Sequence, residues 1–345
     1  MGTPWSTLGN NEELNREKNE LQDKQIRMQS QIEELNREKK ELQEKLIAEK
    51  KENKELRDQN KELRENRVSL ESPWRELKYK GFTDDAKSHL YEDIESVVLP
   101  DKCEAINLIV MGDTGSGKSS FVNTLKTVFR DNDHIANVAP SYGTNFPSTT
   151  RRLHEITLKS FDSGQKLMIN DCRGIPKDVT ERDICESDLK NTINGHIKKN
   201  YEFKADRAIQ KNDGLYRENP TISEKMHCVL FVVNADMLDI ERTYLTLKNI
   251  QGYLHDNNDI PLQIILTKMD KLDLCGLSDC SGIFYSRHAS KKMQLAKTIF
   301  GVKGNQIQPI ANYVDETRRS NIKDILALQA ILNILQEAVT YIENI

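Results

Sequence analysis

Gly112-Asp113-Thr114-Gly115-Ser116-Gly117-Lys118-Ser119 fits the phosphate-binding pattern G-x-x-x-x-G-K-[ST] at every position. The flanks carry the geometry that the pattern needs. Ile106–Met111 is a short apolar run that suits a buried parallel strand. Ser119–Lys126 has helical spacing, with Phe121, Val122 and Leu125 on one face. Strand, glycine loop and helix together aim backbone N–H groups and a helix N-terminus at an anion. The residues 112–120, with Ser120 next to the motif, are therefore candidate phosphate-binding residues.

Two further motifs follow in order. Leu153–Leu158 and Lys166–Asn170 alternate like strands and are joined by the turn residues Asp162-Ser163-Gly164, which implies a hairpin. Asp171-Cys172-Arg173-Gly174 closes its second strand, 59 residues after the first loop glycine. An aspartate there can support Mg²⁺, and the glycine N–H can sense a terminal phosphate. Cys228–Asn234 is the most apolar strand, and Leu245–Leu254 reads as an amphipathic helix. The strand from Pro261 ends on Thr267-Lys268-Met269-Asp270, which fits the base-reading pattern [NT]-K-x-D. A carboxylate only accepts hydrogen bonds. Guanine offers two N–H donors on one edge and adenine does not, so Asp270 favours guanine and argues against an ATPase.

These motifs predict an α/β fold of the P-loop NTPase type. It would be a Ras-like G domain, with a mostly parallel sheet and helices on both faces. The predicted ligands are GTP or GDP with Mg²⁺. Lys118 would neutralise phosphates, Ser119 and Asp171 would hold the metal, and Gly174 would sense the terminal phosphate. Thr267, Lys268 and Asp270 would select the base. Thr149 and Thr150, before the hairpin, are alternative candidates for a metal-binding switch threonine. Ile307–Ala311 reads as the last strand, and Asn312-Tyr313 follows where a second base-contacting loop falls. The usual S-A-K is missing there, so Asn312 is the candidate base contact. Position 175 is Ile, where a glutamine would orient water, and Pro176 follows. That predicts a GTPase with slow or partner-activated turnover.

The region before the G domain is of another kind. Residues 11–72 contain no glycine, proline or aromatic residue. Leu14, Leu21, Met28, Leu35, Leu42, Leu56, Leu63 and Leu70 recur at a seven-residue step broken only by Glu49, the d stripe of a coiled coil. Residues 12–24 nearly repeat at 33–45, a shift of three heptads. At the a positions only Ile32 and Leu46 are apolar, which weakens pairing and favours two strands. A homodimer or a coiled-coil partner is expected, on a rod of about 90 Å. Ser72-Pro73 is expected to end it.

The domain reading is a disordered start at 1–10, a coiled coil at 11–71, a connector at 72–104 and a G domain at 105–345 with an insertion at about 175–225. Helical pattern is expected within that insertion at Ile184–Ile193 and Ile197–Phe203. Asp84–Val98 reads as weakly helical, and Asn321–Ile345 as an amphipathic helix capped by Ser320 or Asn321.

Charged residues are 30% and aromatics 6%, in line with a long solvated segment. A net charge of -4 gives no reason to expect a nucleic-acid partner. The six cysteines lack paired spacing, which points to reduced thiols. With no signal-peptide core and no apolar run of transmembrane length, a cytoplasmic location is expected. Met1–Ser6 loosely fits the pattern for N-myristoylation at Gly2, although an ordinary chain start is favoured.

From Ser72 onward the chain resembles the interferon-induced protein 44 family, including its 44-like members. The resemblance is carried by Ser72-Pro73-Trp74-Arg75, the P-loop, Asp171–Gly174, Asn194-Gly195-His196-Ile197, His227–Val233, Thr267–Asp270 and Asn312-Tyr313. It implies a cytosolic GTP-binding protein of the interferon-induced antiviral response. Members often carry an N-terminal TLDc domain, and here the heptad segment stands in that place. The competing expectation is a coiled-coil scaffold whose G domain binds nucleotide without significant turnover.

Overall fold

A computed structural model describes residues 6–66, 69–139, 152–175, 186–204, 207–238, 244–257, 259–272 and 280–345. The chain divides into two units, one up to Glu65 and one from Asn66 onward. The first unit is a single helix, α1 (Ser6–Asn66). On it Leu21, Met28, Leu35, Leu42 and Leu56 of the seven-residue stripe, and Ile32 and Leu46 of the a positions, are all exposed. The helix starts at Ser6, inside the stretch 1–10 read as disordered, and ends at Asn66, six residues before Ser72-Pro73, so Leu70 of the stripe lies outside it.

The second unit holds a six-stranded sheet in the order β2-β3-β1-β4-β5-β6. Its strands are β1 (Ala105–Met111), β2 (His154–Ser160), β3 (Lys166–Asp171), β4 (Cys228–Asn234), β5 (Leu262–Thr267) and β6 (Ile307–Pro309). Among the described strand pairs of this sheet, only β2–β3 is antiparallel. In β1, β4 and β5 nearly every residue is buried, which suits their mostly apolar sequences: a central parallel strand is covered on both faces.

Among the described residues, six α-helices accompany the sheet: α2 (Asp84–Glu95), α3 (Lys118–Val128), α4 (Glu186–Ile193), α5 (Leu245–Asp256), α6 (Arg287–Phe300) and α7 (Asn321–Asn344). In α2 the Thr83 hydroxyl accepts from the Ala86 amide, and Asp84 and Asp85 sit in the first turn. A cap of this kind contributes about 1 kcal/mol. Helix α7 packs on α2, α3 and the central strands. It is the one helix among the described residues long and apolar enough to cross a bilayer, yet 67% of its apolar window is buried inside the domain. Ser320 stands at its N-cap without a side-chain cap bond.

The segment 69–75 runs along residues 283–286. Leu70 donates to Tyr285 O at 2.8 Å and Trp74 to Phe284 O at 2.9 Å. The Trp74 indole donates to Ile283 O at 2.8 Å, and its ring lies 5.2 Å from that of Phe284. Arg75 donates to the carbonyls of Ile307 and Gly304. This segment therefore fastens β6 and the turn before α6.

One reading of local structure needs correction, and one element was not expected. Ile197–Phe203 is not helical. Ile197 and Glu202 form isolated bridges with Tyr216 and Arg152, and Asn200 takes a φ of 66°. The buried Asp188 carboxylate explains this, since it accepts from the Tyr201 hydroxyl at 2.7 Å and the Ile209 amide at 2.8 Å and so draws the segment across α4. Helix α6 has no counterpart among the expected elements. Its buried face is Ala289, Lys292, Met293, Ala296 and Phe300, too small and polar to stand out by periodicity.

Candidate functional site

The site is built at the C-terminal ends of β1, β3 and β5, where a parallel α/β sheet leaves a crevice. At Gly112, just after β1, a Cβ would lie 2.2 Å from the carbonyl oxygen of Val232, so only glycine lets the loop turn against β4. Asp113, Thr114, Gly115 and Ser116 form the turn, closed by Ser116 N donating to Asp113 O at 3.1 Å. Gly117 is the N-cap of α3.

Lys118 is buried, and its Nζ donates to the carbonyls of Gly112 and Asp113 at 3.0 Å each. Burial lowers its pKa, while the charges of Asp171 and Asp113 act in the opposite direction. The ammonium is thus held inside the loop that it would serve. Ser119 Oγ donates to Asp171 Oδ2 at 2.9 Å, which joins the first turn of α3 to the end of β3. Asp171 is fully buried and pairs in register with Val110 of β1.

Gly174 lies against the same loop: a Cβ there would meet Thr114 Oγ1 at 2.8 Å and Lys118 Nζ at 3.0 Å. Next to it, Ile175 N donates to Gly112 O at 3.0 Å, and Thr114 N donates to Ile175 O at 2.8 Å. The D-x-x-G segment is therefore stitched to the P-loop through main chain. The Ile175 side chain is buried.

The residues of the T-K-x-D motif are brought to the other side of the loop. Thr267 donates its hydroxyl to Ser116 O at 2.5 Å and Val233 O at 3.1 Å, so it braces the P-loop and has no proton left for a base. Lys268 takes a φ of 58°, a left-handed backbone that turns the chain sharply after β5. Asp270 and Lys268 line a cavity of about 480 Å³ together with Gly117, Ser120, Asn312 and Glu316. Asn312 Nδ2 donates to Gly117 O at 3.3 Å, while its buried Oδ1 has no hydrogen-bond partner. The Asn312 main chain is fixed by Lys323, which donates to its carbonyl at 2.8 Å.

The candidate residues on 112–120, 171–174, 267–270 and 312 thus come together around one crevice. Thr149 and Thr150 lie outside the described residues, as does Gly2. The sequence reading missed the acidic wall of Asp315 and Glu316 and the brace from Lys323. The only signal for them was the D-E pair after Asn312-Tyr313.

The fit to Mg²⁺ and a nucleotide rests on the donor set. Among the described residues, no three His, Cys, Asp or Glu side chains cluster as a cage. Mg²⁺ is commonly held by one or two protein oxygens plus phosphates and waters, and the Ser119–Asp171 pair matches that need. Asn312 lines the cavity, and its buried Oδ1 lacks a hydrogen-bond partner that a polar ligand would supply.

The fold and the arrangement of this crevice define a P-loop GTPase-type G domain. A family model described as 50S ribosome-binding GTPase matches residues 107–268. Among curated proteins, the chain is similar to interferon-induced protein 44 and to its 44-like form. Interferon-induced protein 44 from Homo sapiens and from Pan troglodytes is 26% identical over 277 residues, 78% of this chain and 60% of theirs. Interferon-induced protein 44-like from Homo sapiens is 24% identical over 247 residues, 71% of this chain and 54% of its own. The chain thus spans little more than half the length of these relatives. Among solved structures, Toc33 from Arabidopsis thaliana superposes with a TM-score of 0.43 at 13% identity, covering 76% of this chain and 93% of Toc33.

Proposed function

We propose that this chain is a guanine-nucleotide-binding switch with slow or partner-activated GTP hydrolysis, whose state is read through self-association of α1. The observation that carries the nucleotide reading is the convergence of Lys118, the Ser119–Asp171 pair and Asp270 on one crevice bounded by Gly112 and Gly117. Lys118 and the loop amides would hold phosphates, and Asp270 would accept the two N–H donors of guanine. Ser119 and Asp171 would hold Mg²⁺, which neutralises phosphate charge when bound. Thr267 and Asn312 act as positioning residues, because both bond to P-loop carbonyls.

Slow turnover rests on Ile175, an apolar side chain buried where a water-orienting group would stand. Self-association rests on the exposed heptad stripe of α1. A cytoplasmic role in the interferon-induced immune response rests on the family resemblance. The same stripe supports a second reading, a coiled-coil scaffold that holds nucleotide without using it. Sedimentation of the full chain with GDP, with a non-hydrolysable GTP analogue, and as Lys118→Ala separates the two readings. Assembly that changes with nucleotide supports the switch, and assembly indifferent to nucleotide and to Lys118 supports the scaffold.

A further inference from the structure

A second cavity, of about 670 Å³, lies on the sheet face away from the crevice described above. Successive residues of a strand point to opposite faces. Asp171 reaches Ser119 on the α3 side, so Asn170 points to the other side, where it lines this cavity. Its floor is polar, although a covered parallel sheet is normally apolar there.

The floor is made of acceptors. Asn170 on β3 lies in register with Glu155 on β2 and with Ile109 on β1, two residues along from Asn107. Glu155, Asn170 and Asn107 therefore run diagonally across three strands on one face, and all three line the cavity. Asn107 commits both amide hydrogens, to Ser223 O at 2.7 Å and Lys225 O at 3.0 Å. Asn170 commits its own to Leu108 O at 3.1 Å and to Met226 Sδ at 3.4 Å. Each asparagine has only its carbonyl oxygen left to offer. Asn170 is 2% exposed, and its Oδ1 has no partner.

The rim has the same bias. Asp101, Glu104, Glu155 and Glu224 stand against Lys166 and Arg217. Arg217 is already paired with Glu224 at 2.8 Å and donates to Gly195 O at 2.5 Å. Met168, Met226 and Ile197 supply apolar wall. A buried carbonyl without a donor costs about 1–3 kcal/mol, so this surface is incomplete by itself.

We infer that this cavity is a binding site for a cationic, donor-rich group on an apolar stem: an alkyl guanidinium or ammonium. Asn170 Oδ1, Asn107 Oδ1 and Glu155 accept its N–H groups, and the methionines cover its methylenes. The source is either a basic side chain of a polypeptide or a free polyamine.

The test is calorimetric titration of the full chain, at physiological salt, with argininamide, with spermidine, and with citrullinamide as the uncharged isostere. The expected result is saturable binding of a cation, none of citrullinamide, and affinity at least about tenfold weaker in Glu155→Gln and in Asn170→Leu. Glu155 is exposed, so its variant keeps the fold even if the buried Asn170 variant does not, and unchanged GDP binding serves as the fold control. Argininamide binding alone assigns the site to a basic side chain; spermidine binding alone assigns it to a polyamine. The inference is overturned if neither cation saturates, if citrullinamide binds equally, or if Glu155→Gln binds as tightly as wild type.

Discussion

The amide of Thr114 donates a 2.8 Å hydrogen bond to the carbonyl of Ile175, and Ile175 returns its own amide to Gly112 at 3.0 Å. This two-bond bridge places residue 175 on the P-loop by main chain, with an apolar side chain turned into the protein. No group at this position can orient a water for attack. The expected single-turnover rate of GTP hydrolysis by the isolated chain is on the order of 10⁻⁴ per second, the range of an unassisted G domain. A rate of several per second without a partner would contradict this.

Asp270 lines the cavity of about 480 Å³ beside the P-loop as an acceptor-only carboxylate, and the proposed guanine site lies there. Asp270→Asn replaces one acceptor by a donor, which suits xanthine, whose edge has one N–H and one carbonyl. GDP affinity is expected to fall at least about tenfold and xanthosine diphosphate to gain. Competition between the two diphosphates reads the change, and an unaltered preference would remove Asp270 from base recognition.

His227 is buried, accepts from the Asn107 amide at Nδ1 at 2.8 Å, and faces the Ile222 carbonyl with Nε2 at 2.9 Å. Only the neutral ring fits both partners, because a proton on Nδ1 would oppose the Asn107 N–H. Burial accordingly lowers its pKa from 6.5 to about 4. Between these values the unfolded chain binds a proton that the folded chain refuses. The stability from this group is thus complete above pH 6.5, falls as the pH drops, and is lost by about pH 4. Urea midpoints at pH 7 and pH 5 should show wild type losing about 2 kcal/mol more than His227→Gln. Parallel losses in both proteins would refute the assignment.

Much of this site was legible because its chemistry is local in sequence. The P-loop, Asp171–Gly174 and Thr267–Asp270 each follow an apolar strand, and both phosphate geometry and sheet geometry constrain their spacing. The α1 helix was legible for a similar reason, since one heptad spans two turns. What escaped depends on distant contacts. The Thr114–Ile175 bridge is main chain, so no side-chain pattern announces it. The bracing role of Thr267 needs the Ser116 carbonyl, 151 positions away. Ile197–Phe203 has helical spacing, but the buried carboxylate of Asp188 outweighs that local preference. Helix α6 hides its face behind alanines and the stem of Lys292.

The central claim, that this crevice holds a guanine nucleotide through Lys118, is tested most directly by equilibrium binding of fluorescent GDP and ADP with Mg²⁺. The wild-type chain and Lys118→Ala are to be compared. The account predicts saturable GDP binding by the wild type, at least about tenfold weaker ADP binding, and a loss of about tenfold to a hundredfold in GDP affinity for Lys118→Ala. Equal affinity for the two nucleotides, or GDP binding unchanged by Lys118→Ala, would contradict it.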